Sequence, residues 1–213
     1  MDPALPPIPR PALDASALER ARRVARVELS RPRQTWRRNA LLMIGGAAAV
    51  TAVALAITFA LGGWVPHAGS QLAAVGLLLG VQLTGGYAAI APRARTSRLA
   101  AVALAFGAVA AMLLLRGAGT PSATPQWVCT VSHLGLAILP LGLLLVLMRN
   151  AAPNPSRALV GGLSVGTVGA VLGEVACGQG WRHVALYHLP AWVVVMALAW
   201  LGARVITPRS YAP

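Results

Sequence analysis

The sequence predicts an all-α integral membrane protein: a six-transmembrane-helix bundle, with a short amphipathic helix ahead of it on the cytoplasmic side. Three observations lead there. Of 213 residues, 57% are hydrophobic and 11% charged, where an ordinary soluble domain carries about 25% charged residues. Six apolar stretches are each long enough to cross hydrocarbon about 30 Å thick at about 1.5 Å per residue. The basic residues gather in alternate gaps between those stretches. A water-soluble core of this size could not hide so many Leu, Ala and Val side chains, whereas a bilayer acts as their solvent.

The spans are expected at Asn39–Leu61, Ser70–Ile90, Leu99–Leu115, Trp127–Met148, Ala158–Val175 and His183–Leu201. The third and fifth are the shortest and have room to extend. The breaks carry turn chemistry and charge: Gly62-Gly63, Pro66, Ala91-Pro92-Arg93, Gly117 to Pro125, Pro153-Asn154-Pro155, and Cys177-Gly178-Gln179-Gly180.

The net charge is +13 and all eighteen basic residues are Arg. Such an excess fits nucleic acid, an anionic partner or a membrane, and the distribution selects the membrane. Nine Arg lie between Arg10 and Arg38, with Arg93, Arg95, Arg98, Arg149, Arg157, Arg204 and Arg209 in regions that fall on the same side, which makes sixteen. Only Arg116 and Arg182 fall on the other side. The positive-inside rule therefore places both termini in the cytoplasm. The first span is expected to stay as a signal anchor, because Asp2, Asp14, Glu19 and Glu28 precede it.

Residues 1–38 form a cytoplasmic basic arm too short to build a core alone. After a Pro-rich opening, Ser16-Ala17-Leu18-Glu19 reads as a capping box, starting a helix from about Ala17 to Leu29 that ends before Pro32. Leu18, Ala21, Val24 and Ala25 line one face, with Arg22 and Arg26 beside them. Two readings stand: an arm lying on anionic lipid, or a docking helix for a cytoplasmic partner. Residues 39–204 form the membrane domain and 205–213 a cytoplasmic tail.

On the arginine-poor side a second pattern emerges. His67, Cys129, His133, Glu174, Cys177, His183 and His188 all fall near that face. Cys129 and His133 are an i, i+4 pair on one helix face. Thr167, Ala170, Glu174 and Cys177 share a face of the fifth span. Glu174 is the sole acidic residue within the apolar spans, and an ionisable residue there marks a functional site. Three chemistries fit: a Cys129–Cys177 disulfide, a redox-sensing thiol pair, or a zinc-like metal held by a subset with His133, His183, His188 and Glu174. His67 reads as an interfacial anchor, and Trp64, Trp127 and Trp181 as an aromatic belt.

Gly162, Gly166, Gly169 and Gly173 make a stripe on span five that lets a neighbouring backbone come close, and Gly76 and Gly80 stand in the same relation on span two. Pro140 and Pro190 each remove one helical hydrogen bond, freeing the carbonyls of Leu136 and Leu186. Buried polar residues are sparse, mainly Gln82, Thr84 and Thr167. Nucleotide loops, a nucleophile elbow, HExxH and CxxC are missing.

The chain resembles the NrsF-type anti-sigma factors, six-span bacterial inner-membrane proteins, over roughly Arg23 to Arg204. The likeness lies in Leu29-Ser30-Arg31-Pro32 and Trp36-Arg37-Arg38, in Cys129 opening span four, in Ala152-Pro153-Asn154-Pro155 before a Gly-rich span five, in Cys177 closing it, and in Tyr187-His188-Leu189 opening span six. CarR-type anti-sigma proteins are similar in plan. The sequence departs from the pattern at Gly178-Gln179-Gly180, where the family carries an acidic residue. The resemblance implies a regulator and no enzyme, with no required cofactor and no direct nucleic-acid contact. Its arm holds an extracytoplasmic-function sigma factor at the membrane, and Cys129 and Cys177 sense an envelope or oxidative stress. The rival reading is a small metal- or redox-active membrane protein, catalytic or transporting, whose working site is the outer Cys/His cluster.

Overall fold

In hydrocarbon every backbone polar group must be satisfied within its own segment, so apolar runs of this length become helices. The computed structural model describes residues 32–63, 69–119, 125–149 and 154–206, together with Ser16, Glu19 and Arg22. It contains six helices long and apolar enough to cross a membrane. They are α1 (Pro32–Ala60), α2 (Gly69–Ile90), α3 (Arg95–Leu114), α4 (Trp127–Met148), α5 (Pro155–Ala176) and α6 (Trp181–Val205). The third and fifth spans do extend, to Arg95 and to Pro155. The first helix starts at Pro32, where a missing N–H costs nothing, and runs through the expected start at Asn39. The protein is a multi-pass membrane protein. Its exterior is the lipid-facing kind, with Leu41, Phe106, Leu139, Val146 and Leu186 all exposed.

In the arm, Ser16, Glu19 and Arg22 are helical and exposed. Ser16 lies within the helix, not just ahead of it. Leu18, Ala21, Val24, Ala25 and Arg26, the rest of the docking face, lie outside the described residues.

The hub of the bundle is α5. Its best apolar window is 78% buried, against 28% for α1, α3 and α4, and it packs on α2, α4 and α6. Burial of that degree requires small residues, because helices in lipid associate through close packing with no hydrophobic drive. The glycine stripe supplies them, but mostly by seating side chains. Gly162 meets the backbone of α6 at Met196, and Gly169 meets the backbone of α4 at His133. Gly166 faces the Trp192 indole, Gly169 the His133 ring and Gly173 the His188 ring, each so close that a methyl would collide. Trp192 is fixed in its socket by an Nε1 hydrogen bond to the Leu163 carbonyl, 2.8 Å.

On α2 the close approach falls at Gly85, against Ser164 and the Val160 carbonyl of α5. Gly76 faces open space, and Gly80 meets only the Leu104 side chain. A buried polar chain adds cross-links. Gln82 Nε2 donates to Thr51 Oγ1 of α1 at 3.0 Å, and Ser164 Oγ of α5 donates to the Gln82 carbonyl at 2.7 Å. Thr167 and Thr84 bond within their own helices.

At the arginine-rich end, Asn154 caps α5 by accepting from the Ser156 amide at 3.0 Å, with Pro155 as the first helical residue. Arg157, buried, donates to the carbonyls of Ala89 and Ile90, both at 2.7 Å. Its charge sits on the negative end of α2 and satisfies carbonyls that the helix leaves unpaired.

The sockets give a direct test. Gly166→Leu is expected to displace Trp192 and destabilise the bundle by about 1–3 kcal/mol, read as a lower unfolding temperature in detergent. Gly76→Leu, at open space, should leave that temperature unchanged. Equal effects would show that the stripe does not seat the rings.

Candidate functional site

The connections at the arginine-poor end decide what the site can be. Residues 117–119 after α3 pair with 179–181 at the entry to α6, through an antiparallel bridge between Gly119 and Gln179 and a Trp181 amide to Gly117 carbonyl bond at 3.3 Å. Gly119 has φ +74 and packs against the Gly180 backbone, a place with no room for a side chain.

That pairing brings Arg116 over the end of α5. Its Nη1 lies 2.5 Å from Glu174 Oε1, and both side chains are buried, at 5% and 2% exposure. Its Nη2 donates to the Cys177 carbonyl. Arg116 is therefore both the counter-ion of the one acidic residue in the spans and a cap for the negative end of α5. A buried carboxylate in this setting needs such a partner.

The sixth helix departs from regular geometry at the same level. Val184–His188 forms a π-helical turn, with the Leu189 amide bonded to the Val184 carbonyl, ahead of Pro190. Thr130 Oγ1 of α4 donates to the Tyr187 carbonyl at 2.9 Å, so a backbone group in the disturbed turn is satisfied from outside. An i→i+5 pattern lays residues five apart side by side. The His183 and His188 rings accordingly sit with centroids 5.2 Å apart, and His183 also stacks on Tyr187 at 4.9 Å. π-turns of this kind recur at functional sites.

Around these rings the chemistry converges. Cys129, Cys177, His183 and His188 each offer one donor atom, and the four atoms all lie within 4.8 Å of one another. Both cysteines are free thiols, half-buried. The histidines are buried, and His183 Nδ1, His183 Nε2 and His188 Nε2 have no hydrogen-bond partner among the described residues. His133 sits behind them, its ring 6.3 Å from that of His188. The structure thus gathers Cys129, Cys177, His183 and His188, sets His133 next to them, and engages Glu174 with Arg116. His67 lies outside the described residues.

Arg116 is the residue the sequence reading passed over, having counted it only for topology. The signal was present: one of two Arg on that side was the natural partner for the one acidic residue in the spans.

The chain is 41% identical to carotenogenesis protein CarR of Myxococcus xanthus over 207 residues, 95% of this chain and 94% of that protein. No family model matches the chain, and no solved structure matches it.

The ion pair can be tested by a double-mutant cycle. Glu174→Leu alone should cost about 3–5 kcal/mol, because it strands a buried guanidinium. Arg116→Met with Glu174→Leu should cost less than that single change. Reversible unfolding in mixed micelles measures both. Costs that simply add would mean that the two groups do not interact.

Proposed function

The chain belongs to the family of the Myxococcus xanthus carotenogenesis protein CarR, and from that premise we propose that it is a membrane-anchored anti-sigma factor. It is a regulator and not an enzyme. The carrying observation is identity along nearly the whole length of both chains, arm and bundle together. On this reading both termini are cytoplasmic in the inner membrane, in keeping with sixteen Arg against two. Residues 1–38 hold an extracytoplasmic-function sigma factor away from RNA polymerase, with Leu18, Ala21, Val24 and Ala25 as the apolar contact and Arg22 and Arg26 as the charged rim.

Cys129 and Cys177 are the sensing pair. A peroxide is the oxidant class that suits them. One thiolate takes the peroxide oxygen as a sulfenic acid while water or an alcohol leaves, and the second thiol then displaces water to form the disulfide. The bond would draw the start of α4 toward the end of α5. Release follows if the two bundle states differ in their affinity for the sigma factor.

The test is co-purification with a co-expressed extracytoplasmic-function sigma factor of the source organism. The full chain should retain it, and a chain lacking residues 1–30 should lose it to background while still inserting in the membrane. Retention by the truncated chain would place docking on the loops at residues 93–98 or 149–157 and overturn the role of the arm.

A further inference from the structure

We propose that this protein binds one zinc-class divalent metal ion per chain, through Cys129, Cys177, His183 and His188. The inference goes beyond the anti-sigma reading and stands without it, since it rests on the donor set alone.

The donor types come first. Two thiols and two imidazoles are a tetrahedral zinc set, and soft sulfur with borderline nitrogen disfavours calcium and magnesium. The geometry is close to what the ion needs. With zinc–sulfur bonds of about 2.3 Å and zinc–nitrogen bonds of about 2.0–2.1 Å, tetrahedral donors stand about 3.3–3.8 Å apart. The four donor atoms already lie within 4.8 Å of one another, so rotamer adjustments of the order of an ångström close the shell.

The second observation is independent of proximity. His183 and His188 are 6% and 5% exposed, and ring nitrogens on both have no hydrogen-bond partner. Buried polar atoms are nearly always paired, and an orphan asks for an ion or a water. The π-turn sharpens this. An unbroken α-helix would point residues five apart about 140° away from each other, at about 100° per residue. Val184–His188 instead brings the two rings together.

Charge selects the divalent state. Two thiolates and M²⁺ sum to zero, and the neighbouring Arg116–Glu174 pair sums to zero as well. A neutral assembly suits a half-buried site at the end of the spans. A cleft of about 350 Å³ lies beside the bridge and is lined by Gln126, Gln179, Tyr187 and one of the donors, His183. The bound ion would join the start of α4 to the α5–α6 connection and the π-turn. Both sulfurs would be occupied, so metal binding and disulfide formation exclude each other.

The experiment uses the full chain in detergent, purified through a tag without histidine, stripped with a chelator under reducing conditions and titrated with Co²⁺. The expected result is one equivalent bound, with the strong visible bands of tetrahedral cobalt and a thiolate-to-cobalt charge-transfer band. Zn²⁺ should displace it at one equivalent. Cys129→Ser with His188→Gln should lose the charge-transfer band and at least tenfold in affinity. His133→Gln, outside the donor set, should keep both. Weak octahedral bands in the wild-type chain, absence of saturable binding, or binding unchanged in the Cys129→Ser/His188→Gln variant would each overturn the site. These outcomes are read without the sigma factor, so failure here is distinct from failure of the anti-sigma role.

Discussion

The bundle depends on α5 surrendering its side chains along one stripe. Between helices in lipid there is no water to expel, so association comes from contact alone. Gly162 and Gly169 supply backbone contact with α6 and α4, and Gly166, Gly169 and Gly173 supply sockets for Trp192, His133 and His188. The buried imidazoles are a consequence. Without Gly169 and Gly173 the His133 and His188 rings would have no place inside the bundle, and the Cys/His cluster would lose His188. Packing and candidate chemistry are therefore the same feature seen from two helices.

The same helix runs between the two ends of the protein. At one end Asn154 caps it, and Arg157 ties its first turn to the last carbonyls of α2. At the other, Arg116 grips Glu174 and the Cys177 carbonyl. Held at both ends, α5 is a single rod between Cys177 and Asn154. On the proposed reading this rod is the two-state element that both the signal and the sigma factor bias.

The spans were legible in the sequence because bilayer thickness and backbone satisfaction leave few choices, and α4 matches residue for residue at Trp127–Met148. The clustering of Cys and His at one end was legible as well, through the arginine count. The pairing of His183 with His188 was not, because helical periodicity places them on different faces and only the π-turn reunites them. Arg116 and Glu174 are 58 positions apart, and a contact between them depends on how the α3 end folds over α5. Arg157 was read as topology alone, although its guanidinium also completes α2. The glycine stripe was recognised by spacing, but spacing does not distinguish a socket for a ring from a surface for a backbone.

On the proposed reading, the state of the Cys129–Cys177 site sets the grip of the arm. That dependence is tested most directly by measuring sigma-factor affinity for the full chain in nanodiscs, once with both thiols reduced and once with them joined by peroxide oxidation. Joining them is expected to weaken binding by about 5–150-fold, the range of an ordinary allosteric coupling, and Cys129→Ser to abolish the difference. Equal affinities in the two states, with the disulfide verified by mass, would contradict it.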